Sequence, residues 1–164
     1  MTETHLHLLL NHAPILGCLF GLVVLGLGLY QRTLILARTG LWTLLIAAGL
    51  CLPTQLTGEG AQQALQRLPG FSLALIQAHE AAAELGFWAL ECTGALALAA
   101  LLSTTRHRLF AYLALAGAIL SFGLLARAGN LGGQIRHSEI RPAATAETVP
   151  RPMTELVGFA YMRA

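Results

Sequence analysis

The chain lacks lysine and aspartate entirely and carries few charges of any kind. Only 11% of its 164 residues are charged, whereas 55% are hydrophobic, and the formal net charge is +2. A soluble domain contains about 25% charged residues, so this composition, with a mean hydropathy of +0.64, indicates a single membrane domain. The small net charge gives no reason to expect a nucleic-acid partner, which would require clustered positive charge.

The motifs of several protein classes are also missing. Cys18, Cys51 and Cys92 stand apart in apolar runs without a Cys-x-x-Cys pair, which excludes a zinc ribbon and a covalently attached c-type haem. There is no nucleophilic triad, phosphate loop or hydrolase motif, so we do not expect an independent enzyme. No basic residue precedes the first apolar run, and this favours a retained first helix over a removable signal peptide.

Four apolar runs approach the length of about 20 residues that a membrane-spanning helix requires. They cover residues 13–30, 41–57, 71–102 and 109–126. The Gly- and Pro-bounded segment 57–70 predicts a short interfacial helix between the second and third spans. We therefore expect an all-α, integral membrane, up-down four-helix bundle, with a four-span domain at 1–137 and a polar extramembrane tail at 138–164.

Arginine placement predicts the orientation of the spans. The first and third connections carry Arg32, Arg38, Arg106 and Arg108. The second carries Arg67 alone. Because cytoplasmic loops are enriched in Arg and Lys, the sequence predicts a bacterial inner-membrane protein whose termini are both periplasmic, with every histidine except the one between Arg106 and Arg108 on the outer side.

Histidines collect at the predicted outer end of the spans. His5, His7 and His12 crowd the start of the first, His79 lies near the start of the third, and His137 follows the fourth. His12 stands about 27 Å along a helix from Tyr30, and His79 about 35 Å from Leu102. The first and third helices of an up-down bundle run parallel and can face each other. Ionisable groups in membrane helices are usually functional.

This pattern predicts a non-covalent haem b with His12 and His79 as axial metal ligands, and with His7 or His137 as substitutes or as ligands of a second haem. The candidates for binding the haem propionates by charge-assisted hydrogen bonds are Arg67, Arg127, Arg136 and Arg141. Bis-histidine ligation fills both axial positions and favours electron transfer. The expected role is to carry electrons between a quinol or a larger membrane redox complex and a periplasmic carrier, in contact with lipid.

Two other interpretations stay open. Glu59 and Glu80 near the histidines suit a His/Glu site for zinc, iron or manganese, as in a metal-binding or metal-transport protein, although the helical Glu-x-x-His pair of di-iron bundles is absent. Alternatively, the histidines are interfacial and the chain is a structural subunit of a larger complex. Glu91, about 18 Å from His79 along the same helix, is either a hydrogen-bonded neutral carboxyl or a proton relay.

Four short motifs suggest a family. They are His7-Leu-Leu-Leu-Asn-His12-Ala-Pro14-Ile, Thr57-Gly58, the histidine at the start of the third span, and Asn130-Leu-Gly-Gly133. Together they resemble a bacterial family of small four-span membrane proteins of unknown function, some of which are suggested to be b-type cytochromes. The resemblance covers residues 5–141, implies the four-span fold, and marks His7, His12, Gly58, His79, Gly132 and Gly133.

Overall fold

A computed structural model describes residues 3–66 and 72–141, which are helical almost throughout. The helices are α1 Glu3–Leu10, α2 His12–Tyr30, α3 Leu34–Gln66, α4 Leu73–Leu102 and α5 His107–Arg136, followed by a 3₁₀ turn at Ser138–Ile140. Four helical stretches are long and apolar enough to cross a membrane: Thr4–Tyr30, Leu34–Gln63, Leu73–Leu102 and His107–Arg136. The all-α class and the four long apolar helices are therefore confirmed. Residues 142–164 of the predicted tail lie outside the described residues.

Helices α1 and α2 form one nearly continuous rod. Across the turn at Asn11 the chain keeps a helical bond, from the Asn11 amide to the His7 carbonyl at 2.9 Å. Pro14 has no N–H, so the Leu10 carbonyl loses its helical donor. The Thr54 hydroxyl of α3 lies 3.4 Å from that carbonyl. The first long helical stretch therefore reaches back beyond residue 13 and includes His7.

The expected separate interfacial helix is wrong for residues 57–66, because α3 continues through Pro53 to Gln66. Residues 67–70 lie outside the described residues. A proline inside a helix removes one hydrogen bond, here to the Gly49 carbonyl, and crowds that carbonyl. The part of α3 beyond Pro53 packs against α1 and includes the buried residues Thr57 and Ala61. Tertiary packing supplies most of the stability of helices in proteins, and here it outweighs the lost bond.

Tight connections make successive helices antiparallel neighbours. Between α2 and α3, the Thr33 amide donates to the Gly28 carbonyl at 2.9 Å and the Arg32 amide to the Leu29 carbonyl at 3.3 Å. This is a Schellman motif, and Arg32, with φ 55°, takes the left-handed position that usually belongs to glycine. The connection from α4 to α5 is four residues, and the Ser103 hydroxyl accepts from the Arg106 amide at 2.9 Å.

The helices form a closed ring in which α2 packs on α3, α3 on α4, α4 on α5 and α5 on α2. Small residues line the seam within each hairpin, as expected for close helix packing in membranes. In the first hairpin, Gly28 packs against Ala37 and Gly21 against Leu44; in the second, Gly86 packs against Leu125 and Gly117 against Thr93. Steps of seven residues from Gly28 through Gly21 and Pro14 reach His7. The same step from Thr93 through Gly86 reaches His79. Each histidine is therefore the outermost member of an inter-helix seam.

Candidate cofactor site

His7 lies on α1, half-buried, with its ring against α3. Its Nδ1 is 3.0 Å from the Thr54 carbonyl oxygen and 3.3 Å from the Thr57 hydroxyl. A carbonyl oxygen only accepts hydrogen bonds, so Nδ1 carries the proton and donates it. In a neutral imidazole the other nitrogen, Nε2, then has a free lone pair. The Thr57 hydroxyl itself lies 2.9 Å from the Pro53 carbonyl, to which it donates.

His79 repeats this arrangement on α4. Its Nδ1 is 2.8 Å from the Ala128 carbonyl oxygen of α5, so this ring too is held as the Nδ1–H tautomer by a main-chain carbonyl. That leaves Nε2 as the basic nitrogen, turned away from the carbonyl that the ring binds. Within residues 3–66 and 72–141, neither Nε2 has a hydrogen-bond partner.

A glycine four residues after each accepting carbonyl makes room for the ring. Gly58 follows Thr54, and Gly132 follows Ala128, at this spacing. A helical carbonyl points along the axis toward residue i+4, so a ring that reaches it must pass over that residue. A Cβ on Gly132 would lie 3.2 Å from His79 Cε1, and one on Gly58 would lie 3.7 Å from His7 Cε1. Both hairpins therefore use the same histidine, carbonyl and glycine arrangement.

The two rings come from opposite corners of the bundle and lie at matching positions along their helices. In the ring of helices, the rod containing α1 is diagonal to α4. His7 stands 23 residues before Tyr30, and His79 stands 23 residues before Leu102. The two imidazoles lie within electrostatic range of each other. The bundle thus places two partly buried imidazoles at matching heights near one of its ends.

The structure does not bring the other predicted ligands to this pair. His12 is exposed on α2 and His137 is exposed at the end of α5, so His79 is paired with His7 instead. His137 Nδ1 lies 2.9 Å from a Glu139 carboxylate oxygen. A hydrogen bond from its own backbone and the one from His137 keep the pKa of Glu139 below its ordinary value.

The candidate propionate-binding arginines are not gathered at the histidine pair. Arg127 and Arg136 are exposed on α5, and Arg67 lies outside the described residues. The fourth candidate, Arg141, instead donates to the carbonyl oxygens of Gln134 at 2.8 Å and Ile135 at 3.0 Å. Those carbonyls belong to the last turn of α5, so Arg141 completes the helix C-terminus.

Two polar oxygens inside the bundle have no described partner, namely Asn11 Oδ1 and Glu91 Oε1. Asn11 is one turn from His7 on the same side of the rod. Glu91 lies deeper, close enough to Cys51 to interact electrostatically. One of the two interpretations of Glu91 is a neutral carboxyl that is hydrogen-bonded to a neighbouring threonine or carbonyl. The structure shows no such bond for its Oε1.

The donor set suits a bis-histidine group better than a multidentate metal ion. Over residues 3–66 and 72–141, no three His, Cys, Asp or Glu side chains are placed to hold a metal together. Two imidazoles remain, each of which donates Nδ1–H to a main-chain carbonyl. Sequence reasoning missed the roles of the Thr54 and Ala128 carbonyls, although Gly58 and Gly132 recur 51 and 53 residues after the two histidines.

No family model, curated protein or solved structure matches the chain. The resemblance to small four-span membrane proteins therefore stays a hypothesis, and the candidate site depends on its geometry alone.

Proposed function

We propose that this chain is an electron-transfer membrane protein that binds one haem b between His7 and His79. The supporting observation is the matched pair of imidazoles, each donating Nδ1–H to a main-chain carbonyl at 2.8–3.0 Å. Histidines that ligate metals typically donate their other ring N–H to a carbonyl or carboxylate, which fixes the tautomer and raises the basicity of the ligating nitrogen. A haem with two imidazole ligands has both axial positions filled and supplies one-electron transfer.

The same bundle supports a location in the bacterial inner membrane. Its four long helices expose large apolar side chains along their middles, among them Phe20, Ile46, Trp88 and Ile119. Contiguous exposed apolar surface requires an apolar partner, and a bilayer provides one for all four helices. The two connections at the opposite end carry Arg32, Arg38, Arg106 and Arg108, whereas the connection at the histidine end carries Arg67 alone. This difference between the connections supports a periplasmic location of the histidine end, although Arg136 and Arg141 follow the last helix at that end.

In this proposal the protein's own residues hold the ligand pair rigid. The Thr54 and Ala128 carbonyls fix the tautomers, and Gly58 and Gly132 allow the rings to reach those carbonyls. A pre-oriented pair loses little conformational entropy when it binds a ligand. The exposed residues His12 and His137 are not assigned as ligands, and propionate binding by Arg127 and Arg136 stays a prediction.

An optical spectrum of the purified protein tests the proposal. Protein from haem-replete cells is expected to show a reduced-minus-oxidised b-type difference spectrum. His7→Ala and His79→Ala should each abolish it, whereas His12→Ala, at an exposed position five residues from His7, should retain it.

His107→Ala, at the opposite end of the bundle, is a second control and should also retain the spectrum. A colourless preparation would overturn the proposal, as would a signal that survives His7→Ala and disappears with His12→Ala. Stoichiometric zinc, iron or manganese without porphyrin absorbance would select the metal-binding alternative instead.

A further inference from the structure

Exposed polar residues mark a common level on the four long helices. Along each helix from its middle toward the histidine end, we take the first exposed charged, amide or imidazole side chain. It is His12 on α2, Gln55 on α3, Glu84 on α4 and Arg127 on α5. Toward the other end, the apolar stretches stop near the two connections that carry Arg32, Arg38, Arg106 and Arg108. These boundaries enclose residues 13–30, 39–54, 85–102 and 109–126, which contain a single charged residue, the partly buried Glu91.

The enclosed stretches have the length of the bilayer's hydrocarbon layer. They contain 16 to 18 residues, or about 24–27 Å of α-helix, against a hydrocarbon thickness of about 30 Å. The boundaries on all four helices thus enclose stretches of nearly the same length. The helices themselves are longer: α4 and α5 each have 30 residues, or about 45 Å. The part of α4 outside its enclosed stretch, residues 73–84, lies entirely on the histidine side.

The histidine pair lies in this excess. His7 is five residues beyond His12, His79 is five beyond Glu84, and each is therefore about 7.5 Å farther along its helix. The headgroup layer on one side of a bilayer is about 5–8 Å thick. The two rings are thus level with the outer limit of the headgroups, beyond the hydrocarbon.

The crown, defined as residues 3–11, 55–66, 72–83 and 128–137, has a strongly polar side formed by α3 and α4. Among the side chains that the structure describes, the carboxylate and amide groups there are those of Gln55, Glu59, Gln62, Gln63, Gln77 and Glu80. Gln62 donates to the Glu80 carboxylate at 3.3 Å, so the two helices stay together at this height. These carboxylates and amides favour contact with water, and Leu56 and Leu73 are exposed beside them. The outward side of α1 exposes Leu8 and Leu9 and suits the lipid interface.

We infer that the site exchanges electrons with a water-soluble one-electron carrier that reaches it from the aqueous phase, rather than with a quinol dissolved in the lipid. This inference rests on the proposed electron-transfer function. Each exchange moves one electron between the bound group and the carrier, which changes its own oxidation state by one; no proton or atom is transferred. The carrier approaches over the polar side of the crown.

Cysteine labelling tests the location without depending on haem. In a background with Cys18, Cys51 and Cys92 replaced by alanine, Ala78→Cys and Ala95→Cys form a matched pair, since both are exposed alanines on α4. The protein is placed in lipid nanodiscs and treated with a charged, membrane-impermeant maleimide. Ala78→Cys, beside His79, should react at least about a hundredfold faster, because a thiolate is strongly disfavoured in hydrocarbon. Equal, slow labelling of both would overturn the inference.

Electron exchange tests the carrier class. Reduced haem-loaded protein in nanodiscs is mixed with ferricyanide, a water-soluble one-electron oxidant, or with a short-chain quinone that partitions into the lipid. Ferricyanide should oxidise the haem much faster than the quinone at equal concentration. The opposite order would overturn the inference even if the labelling result held. A protein that binds no haem would refute the proposed function, and the labelling ratio would still decide where the histidine pair lies.

Discussion

Gly132→Ala is the most informative single change, because the added methyl group would press on the His79 ring. A Cβ at this position would lie 3.2 Å from Cε1 and 3.3 Å from Nδ1 of His79, closer than the 3.4 Å at which ordinary contacts begin. The ring must therefore withdraw by a few tenths of an ångström from the Ala128 carbonyl. Its 2.8 Å hydrogen bond would lengthen toward about 3.1 Å, within the normal range but weaker.

The loss is expected to reach at most about 1 kcal/mol, the typical net contribution of one whole hydrogen bond, which corresponds to at most about fivefold weaker haem binding. Gly58→Ala is the comparison at the other ring. Its Cβ would lie 3.7 Å from His7 Cε1 and 3.9 Å from Nδ1, which is an ordinary contact, so haem affinity should stay within twofold of the original protein.

Gly123→Ala is the matched control, because a Cβ there meets nothing within 4 Å. It lies on α5, like Gly132, so both changes share the gain of about 1 kcal/mol in helix propensity. The difference between their haem affinities then isolates the contact with His79. The assay is a haem titration followed by Soret absorbance.

Nitrogen NMR of histidine in the haem-free protein gives a second, independent reading. His79 should appear as the Nδ1–H tautomer in the original protein and in Gly123→Ala, with a weakened hydrogen bond in Gly132→Ala. The reasoning is refuted if Gly132→Ala and Gly123→Ala bind haem equally well, or if Gly58→Ala is the more damaging of the two site changes.

Three further changes test other contacts. Thr93→Val removes the 3.0 Å bond to the buried Ser121 hydroxyl and should lower the free energy of unfolding by about 1–2 kcal/mol; an unchanged thermal midpoint in detergent would contradict this. Arg32→Gly, at φ 55°, should raise stability by about 1 kcal/mol by relieving the left-handed conformation, whereas Arg32→Ala should not. His137→Gln should raise the Glu139 pKa only part of the way toward its ordinary value, as seen by NMR titration. The bond from its own backbone is the larger cause of the lowered pKa, and the bond from His137 is the second.

The long helices were predictable because their apolar runs are nearly free of charge, but their outer ends were not. Thr57, Ala61 and Ile135 are buried within segments whose polar, Gly-rich composition predicts loops or a separate short helix. Packing between neighbouring helices keeps these segments in α3 and α5. That contribution depends on which helices meet, and a single apolar pattern does not contain this information.

The identity of the inward histidine was ambiguous for a geometric reason. His7 and His12 are five residues apart, which separates them by about 140° around a helix, so only one of them can face the core. The glycine seam decides between them: Gly28 and Gly21 lead at steps of seven residues to His7. The accepting carbonyls were beyond prediction, because every residue has one and only the packing selects Thr54 and Ala128.

Each hairpin supplies one ring, one accepting carbonyl and one glycine, and the second set lies 72 to 74 residues after the first. Two copies of a chain half this long, related by a two-fold axis, would bring together the same pair of imidazoles without any third element. Because both halves belong to one polypeptide, they need not be identical, and a Cβ would lie closer to the histidine ring at Gly132 than at Gly58. The surroundings of one imidazole can thus change while those of the other stay the same.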